Sequence, residues 1–110
     1  MIEYQTNEFG LREKDMNYLM SIFESIDEIE SVILYGSRAR GDYQLASDID
    51  LSLKGKDIEF EHVARIKYLI ENESPMLLSA DVNIFSKISN KQLIELIKRD
   101  GIEIYKKRAL

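Results

Sequence analysis

Two stretches of strict alternation constrain this chain more than anything else in it. In residues 48–53, Asp48, Asp50 and Ser52 point one way, and Ile49, Leu51 and Leu53 the other. In residues 78–85, Leu78, Ala80, Val82 and Ile84 take one face, and Ser79, Asp81 and Asn83 the opposite one. A period of two fits a half-buried strand with an apolar face against a core. Helical periodicity surrounds these stretches. Residues 12–29 set Met16, Leu19, Met20, Phe23 and Ile26 or Asp27 on one stripe, and residues 57–72 turn Phe60, Val63, Ile66 and Leu69 or Ile70 inward, with Asp57 as N-cap. Residues 90–100 turn Leu93, Leu96 and Ile97 inward, with Ser89 and Gln92 at capping-box spacing and Gly101 as the stop. Residues 31–35, Ser-Val-Ile-Leu-Tyr, read as a strand covered on both faces, and residues 102–105 as a short edge strand. The resulting fold class is α/β (α+β), a small mixed β-sheet with helices packed on it. The link between the first two strands, roughly 12 residues, is marginal for a parallel crossover, which favours the mixed sheet.

The length of 110 residues fits one domain spanning 1–110, with the unpatterned residues 1–10 expected to be partly disordered. The chain has no cysteine, which excludes thiolate metal sites and cysteine nucleophiles. Its one histidine, His62, excludes a multi-histidine metal centre within the chain and reads as a boundary position on a helix. Fifteen basic against 20 acidic residues give a net charge of −5, which argues against a protein that wraps nucleic acid. Lys106-Lys107-Arg108 reads as a solvated tail. No apolar run approaches the roughly 18–20 residues that span a bilayer, so no membrane partner is expected. The polar start, Met1 to Gln5, does not resemble a signal peptide, and a soluble cytoplasmic protein is expected. Apolar positions near Phe9, Leu11, Tyr68 and Tyr105 are candidates for a homo- or hetero-oligomer contact.

The chemistry concentrates between two of the strands. Gly36-Ser37-Arg38-Ala39-Arg40-Gly41 follows the first strand, and Ser47-Asp48-Ile49-Asp50-Leu51 opens the second. Glycine lets the backbone approach a ligand closely, and a helical turn after it would aim free N–H groups at an anion. Ser37 adds a hydroxyl, and Arg38 and Arg40 add charge that can pair with phosphate. Asp48 and Asp50 share a strand face with Cα atoms about 6.6 Å apart, a spacing at which two carboxylates can hold divalent cations. Asp81, on the polar face of a later strand, supplies a third carboxylate if the strands are neighbours. Tyr43, in the intervening loop, is a candidate to stack on a base. Gly55-Lys56-Asp57 lacks the flanking residues of a P-loop.

Gly-Ser-x-Ala-Arg-Gly followed by Ser-Asp-Ile-Asp-Leu resembles the signature of the DNA polymerase β-like nucleotidyltransferase superfamily. In so short a chain it is similar to the minimal nucleotidyltransferase (MNT) subgroup. The motifs cover residues 36–51, and the element order with Asp81 extends the likeness over roughly residues 12–105. The resemblance implies the polymerase β-like fold and nucleotidyl transfer, with ATP as substrate and Mg²⁺, two ions, as cofactor. It implies that Gly36 and Ser37 contact the phosphates and that Arg40 occupies the motif's recurrent arginine. Asp48, Asp50 and Asp81 would be the metal ligands and catalytic acids, with Asp81 helping to deprotonate the acceptor hydroxyl. It further implies a HEPN-domain toxin as partner, the chain acting as antitoxin by moving AMP onto a tyrosine of that toxin. Two other readings stay open: an antitoxin that neutralises by binding alone, and nucleotidylation of a small-molecule hydroxyl.

Overall fold

The computed structural model describes residues 6–108. In chain order it contains α1 (Glu13–Ser25), β1 (Ser31–Tyr35), a short α2 (Ser37–Arg40), β2 (Ile49–Lys54), α3 (Phe60–Tyr68), β3 (Ala80–Ile84), α4 (Lys91–Asp100) and β4 (Ile102–Lys106). The sheet order is β3-β2-β1-β4. The short link after β1 returns β2 antiparallel to it, while α3 provides the crossover that makes β2 and β3 parallel. β4 closes the other edge antiparallel to β1, with a bulge between Val32 and Ile33. The expected mixed sheet with helices packed on it is therefore the observed architecture.

Alternation decides which face does what. Val32, Leu34, Ile49, Leu51, Leu53, Ala80 and Ile84 form one apolar face in a single core with Leu19, Ile22 and Phe23 of α1 and Val63 and Ile66 of α3. Fully burying each such aliphatic side chain stabilises the fold by about 1.5–3 kcal/mol. The opposite face carries Tyr35, Asp50, Asp81, Ser52 and Asn83. α4 covers its β1 side. A Cβ on Gly101 would collide with the Ile97 carbonyl and lie 2.6 Å from Ile33 Cγ2, so only glycine lets α4 end this close to the strand. The backbone there is extended, and close approach rather than a left-handed φ accounts for the residue.

Several boundaries differ from the sequence reading. α1 ends at Ser25, four residues early, because Ile26 turns extended and leads the chain to Ile29, which is buried outside the helix. α3 starts after Glu59, not Asp57; the Glu59 N–H donates to His62 Nδ1 at 2.8 Å. Ile58 is the buried residue, and Phe60 is 78% exposed instead of inward. α3 continues as a π turn over Leu69–Glu73. The third long helix is capped by Asn90, whose side chain accepts from the Gln92 and Leu93 N–H groups, so Ser89 forms no capping box; Leu96 faces out. The third strand spans Ala80–Ile84 rather than 78–85. Phe9 and Leu11 are buried, not available to a partner, whereas Tyr68 is exposed. Tyr105 packs its ring 5.6 Å from that of Phe23. Lys106, Lys107 and Arg108 are exposed, as the sequence reading expects, and the Lys107 ammonium also donates to the backbone and carboxylate of Asp27 at the surface. Residues 1–5, part of the expected disordered segment, lie outside the described residues, and residues 6–10 form a turn in which Asn7 Oδ1 accepts from the Phe9 and Leu11 N–H groups.

Arg38 is the largest departure. It is 1% exposed, and its guanidinium donates to the carbonyls of Phe9 (2.9 Å), Gly10 (3.4 Å), Leu45 (3.1 Å) and Ser47 (2.9 and 3.1 Å). Tyr43 covers it, ring centroid 5.2 Å away, so that tyrosine packs on the arginine rather than standing free for a base. The buried cation is a clamp between the N-terminal turn and the loop that delivers Asp48 and β2, and it has no donor left for phosphate. Arg38→Met keeps the volume but strands the carbonyls. It is expected to cost about 3 kcal/mol, seen as a fall of roughly 12 °C or more in the thermal midpoint. A melt unchanged within error would refute the clamp.

Candidate active site

The sheet register gathers the acids. Asp50 of β2 pairs with Tyr35 of β1 on one side and Asp81 of β3 on the other, so three residues form one row across the polar face. Neighbouring strands lie about 4.8 Å apart, which brings the Asp50 and Asp81 carboxylates side by side. Asp48 is not on the strand as expected. It sits just before β2, exposed, near enough for its charge to act on Asp50. Burial, then the charges of Asp81 and Asp48, push the Asp50 carboxyl up to about 6, against a smaller opposing effect of Arg40 and Arg38. Burial, then Asp81 and Asp50, likewise push the Tyr35 phenol up to about 12, so it remains protonated at neutral pH.

Gly36 closes the site from behind. Its φ is +75°, a conformation that glycine adopts without strain, and a Cβ there would collide with Asp50 Oδ2. The end of β1 can touch the carboxylate only as bare backbone. Ser37 then opens the single turn of α2, half-buried. Arg40 lies at the end of that turn with its guanidinium 3.3 Å from Asp42 and 4.0 Å from Asp100, where it ties the loop to α4. A cavity of about 450 Å³ lies to one side of this constellation. It is lined by Arg12, Leu45, Pro75 and Leu77 among others and does not include the acids.

Three features around the acids escaped the sequence reading. Glu71 Oε2 accepts from the Ala80 N–H at 2.9 Å and from the Lys67 ammonium at 2.9 Å, while Lys67 also donates to the Ala80 carbonyl. The residue before Asp81 is thus held at both backbone atoms, and these contacts hold the Glu71 carboxyl below its usual range. Arg12 donates to the Pro75 carbonyl at 2.7 Å and ties α1 to the segment before β3. On the polar face, Ser52 Oγ donates to Asn83 Oδ1 at 2.6 Å, and Asn83 Nδ2 donates to the Tyr35 hydroxyl at 2.8 Å. The last was legible in principle: Ser52 and Asn83 stand two residues beyond Asp50 and Asp81 on the same faces.

The donor set fits a hard divalent cation. Mg²⁺ is held by one or two carboxylates together with water and substrate phosphate, and Asp50 with Asp81 offers that pair. The Asp50 carboxyl is raised first by burial and then by the like charges of Asp81 and Asp48, and a cation would relieve the second of these. Among the described residues no three or more carboxylates, imidazoles or thiolates stand gathered as a pre-formed metal cage.

Comparisons with known proteins bear on the family and the fold. Residues 17–109 match the family model described as polymerase beta, nucleotidyltransferase. A candidate protein adenylyltransferase of Methanocaldococcus jannaschii is 37% identical over 65 residues, which are 59% of this chain and 58% of that protein. The matched region therefore spans under two thirds of that relative's length. A chain of a toxin–antitoxin complex solved with AMP-PNP superposes with a TM-score of 0.71 at 14% identity, covering 86% of this chain and 75% of the other. A chain from the complex of a tri-AMPylated Shewanella oneidensis HEPN toxin with an MNT antitoxin gives 0.64 at 13% identity, over 84% and 71%. At such identities these likenesses fix the fold.

The crowded charges have a thermodynamic signature. The folded-state Asp50 carboxyl lies above the ordinary value of 3.8, so the folded protein binds the proton more tightly, and stability falls as pH rises from there through about 6. Asp50→Asn removes the charge. In metal-free buffer the variant is expected to melt a few degrees above the wild type at about pH 7.5, with the gap closing towards pH 4. Melts across that range read it, and a gap independent of pH would contradict the electrostatic account.

Proposed function

Because this chain belongs to the polymerase beta nucleotidyltransferase family, we propose that it is a Mg²⁺-dependent adenylyltransferase. It moves AMP from ATP to a tyrosine hydroxyl of a HEPN-domain toxin, and so acts as the antitoxin of the pair in the cytoplasm. The observation that carries the reading is the row of Asp50 and Asp81 closed against the bare backbone of Gly36, with Asp48 beside it. The likeness to chains from complexes described as containing AMP-PNP and an AMPylated toxin supports the choice of nucleotide and partner.

In this reading the acceptor oxygen attacks the α-phosphorus of ATP, the bond from that phosphorus to the bridging oxygen breaks, and pyrophosphate leaves. Asp48, Asp50 and Asp81 would hold Mg²⁺, two ions, which would supply charge stabilisation to the transfer. Asp81 lies exposed at the outer side of the row, where it takes the proton of the incoming hydroxyl. Gly36 and Ser37 contact the phosphates, and Arg40 flanks them. Beyond this positioning little more is required of the protein.

The test is transfer of label from α-labelled ATP, with Mg²⁺, to a folded HEPN partner. Wild type should label the partner and shift its mass by one or more AMP units, and Asp50→Asn should lose more than about a hundredfold in rate while staying folded, because it removes a charge and no core packing. Failure of wild type to label the partner with any nucleotide overturns the proposal. An Asp50→Asn variant that still neutralises the toxin in cells shows instead that binding alone suffices.

A further inference from the structure

Tyr35 sits at the end of β1, in register with Asp50, and its side chain reaches across the sheet to Asn83 of β3. The direction of that contact follows from the buried end of the relay. Ser52 is fully buried, and among the described residues Asn83 Oδ1 is its side chain's only acceptor. The hydroxyl hydrogen must go there, since an unpaired buried donor is costly. This turns the Asn83 amide nitrogen toward Tyr35, and the phenol oxygen becomes an acceptor. A phenol that accepts still has its own hydrogen to give. Among the described residues that hydrogen has no acceptor, and the carboxylates whose charges act on the phenol are Asp81, with the larger effect, and Asp50.

Resting on the reading above, we propose that Tyr35 is a positioning residue: its hydroxyl, turned by the Ser52–Asn83 relay, donates to the Asp81 carboxylate and orients it toward the bound divalent cation. Among the described residues neither Asp50 nor Asp81 has a side-chain hydrogen bond, but Asp50 is half-buried against Gly36 whereas Asp81 is exposed. A donor at its back would fix the rotamer and turn the other oxygen, with its two lone pairs, toward the metal and the incoming hydroxyl. Hydrogen bonds of this kind behind metal ligands typically change metal affinity by about tenfold or more.

The experiment uses Mn²⁺ as the probe, with its binding to the full chain and ATP read by electron paramagnetic resonance. Tyr35→Phe keeps the ring and removes the hydroxyl. It is expected to weaken Mn²⁺ binding about tenfold and to lower the transfer rate with KM for ATP unchanged. Ser52→Ala leaves Tyr35 intact but frees the amide to turn, so that the phenol spends its hydrogen on Asn83. That variant should weaken Mn²⁺ similarly, and the double variant should be no worse than either single one. If the wild type binds Mn²⁺ and Tyr35→Phe binds it equally well, the role of Tyr35 is overturned while the nucleotidyltransferase reading stands. Normal binding by Ser52→Ala overturns the relay. A wild type that binds no Mn²⁺ in the presence of ATP removes both this inference and the metal-dependent reading beneath it.

Discussion

The guanidinium of Arg38 is a cation taken out of water, and the loop between β1 and β2 exists in its present shape because of it. Desolvation weakens the hold of such a group on its proton, which lowers its pKa, and only dense hydrogen bonding makes the burial tolerable. Four backbone carbonyls from two segments provide it, and the Tyr43 ring closes the remaining side. Those carbonyls belong to a turn and a loop that have no ladder partners of their own, so each side satisfies the other. The planar fork of arginine suits this use, since five N–H donors leave it in fixed directions. With Ser47 held at its carbonyl, Asp48 follows at a defined place and β2 begins in register. The places of Asp48 and of Asp50 on β2 therefore depend on a residue whose donors are all spent on backbone carbonyls.

What the loop delivers is an arrangement that opposes folding in the absence of a cation. Two carboxylates in adjacent register positions repel one another, and a third stands nearby. The structure tolerates this because the acids occupy the solvent side of the sheet while the opposite side carries the apolar core. Glu71 and Lys67 add a local lock on Ala80, so the strand that presents Asp81 does not depend on the acids for its placement. Stored repulsion of this kind is common where function requires charges to converge.

Much of this was legible in the amino-acid order, for a reason visible in particular residues. Alternation at 48–53 and 78–84 specifies which side chains share a face, and that is enough to place Asp50 and Asp81 together once the strands are adjacent. The short link after Tyr35 gave the antiparallel turn, and the periodic stretch from Val63 to Ile70 gave the crossover. Capping was less legible: Asp57, Ser89 and Asn90 are all competent caps, yet α3 starts after Glu59, with Ile58 buried before it. Arg38 was misread because a lone arginine beside Gly-Ser carries the same symbol whether it faces phosphate or carbonyl oxygen. Its burial comes from Phe9 and Leu45, segments 29 and 7 positions away, which no local pattern connects.

The division of the sheet into two faces also separates the energetics. A substitution on the apolar face, at Leu51 or Val32, removes packing, so its effect on activity cannot be told apart from loss of the fold. On the other face Asp50 and Asp81 are not part of the apolar core, and their changes alter charge. The polar face is nevertheless not independent of the rest: Ser52 and Tyr35 are buried, and Gly36 admits no side chain. Function at such a site is held by shape as much as by charge. The residues that could be exchanged without harm to the fold are those whose exchange would most directly disturb the chemistry.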